Sequence, residues 1–238
     1  EEALQRHAHE TCAVIIEPLI QCAAGMRMYH ALYLRLLREA CDRHGVHLIA
    51  DEIATGFGRT GMLFGCDWAP PPQRDPDLQP GITPDFMCLS KGLTGGMLPL
   101  AVTLTRESIY EAFYAEYREG KAFLHSHSFT GNPLGCRAAL ATIDLFEDPA
   151  ALATNRLLSQ LMWSQTAEIR AHKHVAEVRQ QGMVMAIELA RNGRKNTPFP
   201  AEERRGLRVY QHGLEHGVLL RPLGNVIYFM PPYVITPK

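Results

Sequence analysis

Two short apolar runs each deliver a charged side chain at the point where the run stops: Leu48-Ile-Ala-Asp51-Glu52-Ile53 and, further on, Cys88-Leu-Ser-Lys91-Gly92. If each run is a strand of an open parallel sheet, Asp51 and Lys91 lie at the carboxyl edge, where α/β folds bind their ligands. A carboxylate and an amine then face one crevice. Pyridoxal phosphate suits that pair, because its carbonyl needs a lysine and its ring nitrogen an acid. Lys91 would form an imine with the cofactor aldehyde and, once released, carry a proton from the substrate carbon to the cofactor carbon. Asp51 would keep the ring nitrogen protonated, since opposite charges ~4 Å apart at an effective dielectric near 20 interact by roughly 4 kcal/mol, or about three pKa units. Ile53, two residues further along the same strand, is expected on the same side, packed under the ring. For either charged residue alone the plainer alternative is a loop cap at Asp51 or a simply exposed Lys91. The pair, each member followed by a Gly-rich turn (Thr55 to Gly61, Gly92 to Gly96), favours the chemical reading.

Other candidates are weaker. The Gly-rich turn after Asp51 is neither a dinucleotide fingerprint nor a P-loop, so its glycines are read as tight turns near a ligand. Arg59 within it either holds a carboxylate or phosphate or makes a structural salt bridge. Ser128, shortly before Asn132 and Pro133, is placed to donate a hydroxyl to a phosphate near a helix start. Arg221, at the end of the run Val218-Leu-Leu, is read as a bidentate partner for a substrate carboxylate, with an interdomain ion pair as the alternative. No metal is expected: His125 and His127 lack a third ligand, and His172 and His174 lie in a polar connection.

The elements that must position these groups follow from apolar periodicity. Cys12 to Pro18 reads as a buried strand, Tyr29 to His44 as a helix with Leu32, Leu36, Leu37 and Ala40 on one apolar face, and Gly45 as its stop. Val46 to Ala50, Phe86 to Leu89 and Leu100 to Leu104 read as further strands, and Pro133 to Glu147 as a long helix with proline in its first turn. This alternation predicts an α/β fold with a mainly parallel sheet over residues 1–150. The Pro-rich stretch between Trp68 and Pro84 is an exposed loop, either a surface insertion or a substrate lid. From 151 to 238 the pattern changes to a small α+β domain: a helix through Arg170, strands over Val175 to Ile187 broken at Gly182, a helix over Ala201 to His216, then strands Val218 to Arg221 and Val226 to Phe229.

With 46 % hydrophobic residues in 238, the chain can bury a sizeable core. Lys and Arg number 24 against 25 Asp and Glu, a balance that offers nothing to nucleic acid or an anionic membrane. The six cysteines are scattered without a CxxC pair and read as reduced, buried thiols. With no leader pattern and no apolar run near the ~20 residues of a membrane span, a cytoplasmic location is expected. The first strand has nothing before it to cover its faces, which predicts a fragment lacking an N-terminal part.

Ile16-Glu17-Pro18, the segment from Leu48 to Gly61, Pro84-Asp85 and Leu89-Ser-Lys91-Gly92-Leu-Thr-Gly95-Gly96 together resemble the signature of the class III, or omega-type, aminotransferases. The resemblance implies a fold-type I pyridoxal-phosphate transferase, a homodimer with sites shared across its interface. Lys91 corresponds to the lysine that binds the cofactor and Asp51 to the partner of the ring nitrogen. Ser128 matches a residue that reaches the phosphate of the neighbouring subunit, and Arg221 the carboxylate-binding arginine. Gly92 and Tyr228 are expected beside the substrate. Gly25 to Tyr29, Leu93 to Gly96 and Arg221 to Tyr233 resemble the subgroup of biotin biosynthesis, which takes its amino group from S-adenosylmethionine and passes it to 8-amino-7-oxononanoate. An omega-amino acid:pyruvate aminotransferase, or a domain without chemistry, are the alternatives. The family's aromatic residue over the ring and its Gly/Ser phosphate turn have no counterpart in these residues.

Overall fold

The computed structural model describes residues 1–236, which fold as two compact units. The first comprises Glu1–Pro18, Ala31–Phe57 and Phe64–Asp148; the second comprises Leu19–His30, Gly58–Leu63 and the chain from Pro149 onward.

In the first unit, strands β1 (Ala13–Ile16), β2 (His47–Asp51) and β3 (Phe86–Leu89) are parallel, and β4 (Val102–Thr105) closes the order β1-β2-β3-β4 as an antiparallel edge. Helix α1 (Leu32–His44) connects β1 to β2 and stops at Gly45, whose φ of +65° suits a residue without Cβ. Its inward face matches the expected one only in part: Ala40 is buried and Leu37 half-buried, as expected. Leu34, Arg38, Ala40 and Cys41 are buried while Leu32 and Leu36 are exposed. The reason lies in an ion pair that periodicity does not register. Arg38 Nη1 donates to Asp85 Oδ2 at 2.7 Å, and the same oxygen accepts from Leu48 N–H at 2.7 Å. A guanidinium so paired is tolerated inside, which lets the face carrying Arg38 point inward. Burial works to raise the Asp85 carboxyl, but the Leu48 N–H and the Arg38 and Arg106 guanidinium groups outweigh it and hold the carboxyl below its ordinary range.

Helix α2 (Pro133–Glu147) begins as expected, with Pro133 in its first turn and Asn132 Oδ1 accepting from Leu134 N–H at 3.0 Å. It places Ala139 on a core of Phe57, Leu89 and Leu93, flanked by Phe64, Met87, Leu100, Val102 and Phe146. The Pro-rich loop has no helix or strand from 69 to 85. Arg35 of α1 pins its two ends, donating to Pro70 O at 2.7 Å and Gly81 O at 2.5 Å.

The second unit is α+β. Helix α3 (Pro149–Ser164) and a short helix, Ala167–Ala171, precede the hairpin β5 (Val175–Gln181) and β6 (Val184–Asn192). Helix α4 (Arg205–Glu215), preceded by a single 3-10 turn at Ala201–Glu203, leads to β7 (Arg221–Leu223) and β8 (Val226–Phe229). The sheet is antiparallel in the order β7-β8-β6-β5. Arg221 therefore opens a strand and does not close Val218-Leu-Leu, which precedes the sheet. Early segments complete this unit: Arg179 donates to Gly25 O at 2.6 Å and Met26 O at 2.8 Å, and Met183 N–H to Arg59 O at 2.9 Å. Gly182, at φ +55°, permits the last contact, because a Cβ there would lie 2.4 Å from the Thr60 carbonyl carbon. Among the described residues, no helix is long and apolar enough to cross a membrane.

Candidate active site

Asp51 is the last residue of β2, paired in parallel register with Cys88 of β3. Lys91 follows two residues after β3 ends, so both expected groups stand at the carboxyl edges of adjacent parallel strands, where the sheet stops filling space with its own side chains. Asp51 is half-buried and Lys91 exposed. One carboxylate oxygen, Asp51 Oδ1, accepts from Ile53 N–H at 3.1 Å, and Oδ2 has no partner among the described residues. That bond makes an Asx turn and ends the strand. Ile53 consequently lies in the turn, and the strand alternation expected to carry it to the side of Asp51 does not reach it. The loop-cap reading of Asp51 and the chemical one are compatible: one oxygen is oriented by the turn and the other left available.

Lys91 opens a 3-10 turn, Lys91–Thr94, and holds a φ of +43°, a left-handed conformation that non-glycine residues avoid. The turn is held in place from both sides. Ser90 Oγ donates to Leu100 O at 2.7 Å, Thr94 Oγ1 donates to Leu98 O at 2.6 Å, and Gly96 N–H donates to Lys91 O at 3.2 Å. Gly92 has a packing reason to lack a side chain, since a Cβ there would meet Phe57 Cβ at 2.9 Å. Such over-determination is what keeps a strained backbone in place.

Beneath Asp51 sits a group that the sequence displayed only as part of the apolar run. Glu52 is fully buried, at 0 % exposure. Its Oε2 accepts from the Thr55 hydroxyl at 2.6 Å and its Oε1 from Cys66 N–H at 2.8 Å. Burial pushes the Glu52 carboxyl above its ordinary range, against the Thr55 hydroxyl and the Cys66 and Gly65 N–H groups, which favour the charged form. The Cys66 thiol is pushed far up by burial and then by the charge of Glu52, so it is inert as a nucleophile. The signal available in the sequence was a second acid directly after the first, inside a segment with no room for two exposed carboxylates.

Ser128 is exposed in the turn before α2, its hydroxyl without a partner among the described residues. The helix start itself is already capped by Asn132. In the second unit, Arg221 and Tyr228 are partners across the β7–β8 ladder, so their side chains rise from the same face of the sheet. Arg221 is exposed and makes no ion pair among the described residues. Arg59 makes no salt bridge among the described residues. It donates to Pro231 O at 2.7 Å and stacks 4.5 Å above the Tyr233 ring, a clamp on the C-terminal segment. No disulfide joins any of the six cysteines; Cys41 and Cys66 are buried as expected, but Cys12 and Cys136 are exposed.

The class-III aminotransferase family profile matches residues 1–238. The adenosylmethionine-8-amino-7-oxononanoate aminotransferase of Geobacter sulfurreducens is 47 % identical over 236 residues, which are 99 % of this chain and 50 % of that protein. The protein of the same name from Helicobacter pylori is 44 % identical, over 98 % of this chain and 50 % of its own length. The chain thus spans about half the length of the curated relatives it matches. Among solved structures, the adenosylmethionine-8-amino-7-oxononanoate aminotransferase of Methanocaldococcus jannaschii aligns with a TM-score of 0.90 at 40 % identity, covering 99 % of this chain and 52 % of that one. An amine transaminase from an uncultivated Pseudomonas species, in its PLP-bound form, aligns with a TM-score of 0.84 at 33 % identity, over 99 % of this chain and 50 % of that one.

Proposed function

The chain belongs to the class-III aminotransferase family, and from that premise we propose that it serves a pyridoxal-phosphate enzyme of biotin biosynthesis. The reaction is transfer of an amino group from S-adenosylmethionine to 8-amino-7-oxononanoate, giving 7,8-diaminononanoate. The observation that carries the reading is the pairing of Asp51 and Lys91 at adjacent parallel strand ends, in a chain 47 % identical to a relative of that name.

The donor set fits the cofactor. A carboxylate with one oxygen unpartnered and an exposed amine without an ion pair among the described residues are the two groups pyridoxal phosphate requires. When bound, the cofactor supplies an electron sink that makes the α-carbon proton of the substrate removable. Lys91 would hold it through Nζ and, when free, take that proton and return it to the opposite carbon as base and then acid. Asp51 would hold a proton at the pyridine nitrogen, with one of its oxygens oriented by the Asx turn. Ile53, carried by the turn after Asp51 and not by the strand, would offer an apolar contact to the ring. Ser128 would donate its hydroxyl to the phosphate of a neighbouring subunit, and Gly92 would let substrate approach the backbone. Arg221 grips a substrate carboxylate by two parallel hydrogen bonds, with Tyr228 beside it. On this reading residues 1–150 are the C-terminal part of the large cofactor domain and 151–238 belong to the small one, with Leu19–His30 and Gly58–Leu63 packing into the latter. A homodimer, with Ser128 reaching a site in the neighbouring subunit, completes this reading.

The test uses the intact gene product loaded with pyridoxal phosphate. Its visible absorbance should change on addition of S-adenosylmethionine and not of alanine, and Lys91→Ala should abolish the lysine-bound band. A response to alanine instead would assign the chain to an omega-amino acid aminotransferase, and a band that survives Lys91→Ala would refute the lysine assignment.

A further inference from the structure

The last turn of α4 and the residue after it gather three metal-binding side chains that have no part in the proposed transamination. His212, Glu215 and His216 are exposed, and one ligand atom from each lies within 4.8 Å of the others. Their spacing of three and four residues puts them on one helix face. The two imidazoles are close, with ring centroids 4.1 Å apart.

Two further features point to a cation. The first is the orientation of His216, whose Nδ1 lies 2.8 Å from His212 O. A carbonyl only accepts, so the ring proton sits on Nδ1 and the Nε2 lone pair is left for a ligand, the arrangement in which metal-binding imidazoles are held. The second is the position of Glu215. Its carboxylate stands at the negative end of the helix, where an anion is disfavoured, and it has neither ion pair nor side-chain hydrogen bond among the described residues. A divalent cation there would neutralise the carboxylate and complement the helix terminus together.

We propose that His212, Glu215 and His216 form a surface site for a divalent transition-metal cation of the zinc(II) class. Two imidazoles and one carboxylate match the donor preference of zinc and not that of magnesium or calcium, which take oxygen ligands. Zinc bonds of ~2.0–2.2 Å place ligand atoms of a tetrahedral site about 3.3 Å apart, so exposed side chains must close by rotation about their own χ angles. Three protein ligands leave a fourth position for water or another donor.

The test is calorimetric titration of the intact, metal-stripped gene product with zinc(II), compared with His212→Ala, His216→Ala and Glu215→Gln. Because the chain has 11 histidines, the difference between variants carries the result. The expected outcome is one saturable site in the unaltered protein, weakened by at least ~10-fold in each histidine variant and several-fold in Glu215→Gln. Millimolar magnesium should not displace the metal. Circular dichroism of the variants, unchanged without metal, separates loss of the site from loss of the fold, and His212→Ala is decisive because that side chain caps nothing. Equal zinc affinity and stoichiometry in the unaltered protein and His212→Ala, or no saturable binding at all, would overturn the proposal.

Discussion

Glu52 makes a demanding test of how the turn below Asp51 is built. Replacing it with alanine leaves two buried donors, the Cys66 N–H and the Thr55 hydroxyl, without the acceptors they now reach at 2.8 and 2.6 Å. A buried donor left unpaired costs about 1–3 kcal/mol, so two cost roughly 2–6 kcal/mol. Relief of the burial that raises the carboxyl offsets part of this, and we expect Glu52→Ala to lose about 2–4 kcal/mol. Glu52→Gln keeps the shape: its amide oxygen can accept from Cys66 while its NH2 donates to the Thr55 oxygen, for a loss below ~1.5 kcal/mol. The two variants also differ in their response to pH. Because the folded carboxyl titrates above its unfolded value of ~4.3, stability from its neutral form is present below that value and lost as pH rises through the folded one. Glutamine has no such dependence, so the stability of Glu52→Gln relative to the unaltered protein should improve with rising pH. Urea unfolding at several pH values, followed by circular dichroism, measures all of this. An alanine variant within ~0.5 kcal/mol of the unaltered protein, or a glutamine variant as costly as alanine, would refute the role given to these two bonds.

Three further perturbations have determinate outcomes. Gly182→Ala would force a Cβ to within 2.4 Å of backbone at Thr60 and demand φ +55° of an alanine, which predicts a loss of about 2–5 kcal/mol in denaturant unfolding. Asp85→Asn breaks a pair with Arg38 whose side chains are 9 % and 8 % exposed, at a cost of about 1–3 kcal/mol, since Asp42 still pairs with Arg38 at 2.7 Å. Since the folded Asp85 titrates below its unfolded value of ~3.9, its contribution is present above that pH and lost as pH falls through the folded value; the variant's unfolding profile should lack that acid limb. Lys91→Gly should be about 1 kcal/mol more stable than Lys91→Ala, because glycine accepts φ +43° readily, while both variants lose transamination measured by product formation.

Local signals in the sequence carried the strands well. Apolar runs ended in Asp51 and near Lys91, and β2 and β3 lie within one residue of the expected spans. Gly45 and Pro133 marked a helix stop and a helix start because their backbone preferences act within one turn. What escaped was decided at long range. The inward face of α1 depends on an aspartate 47 residues away, and Arg59 finds its partner 172 residues away, which no window of sequence contains. Ile53 escaped for the opposite reason, a bond over only two residues that ends the strand earlier than its apolar pattern does. The recruitment of Leu19–His30 and Gly58–Leu63 into the second unit left no mark in composition.

The bonds from Arg179 to the carbonyls of Gly25 and Met26 set a schedule for synthesis. The partners of the Arg179–Gly25 bond are 154 residues apart, so at ~5–20 residues per second the ribosome makes the earlier residue roughly 8–30 seconds before the later one. The parallel strands of the first unit can pair within that interval. The early loop cannot dock, and its buried surface stays open to solvent, to proteases and to chaperones until Arg179 has emerged. A nascent chain stalled before that point should be cut within Leu19–His30 far more readily than the finished one.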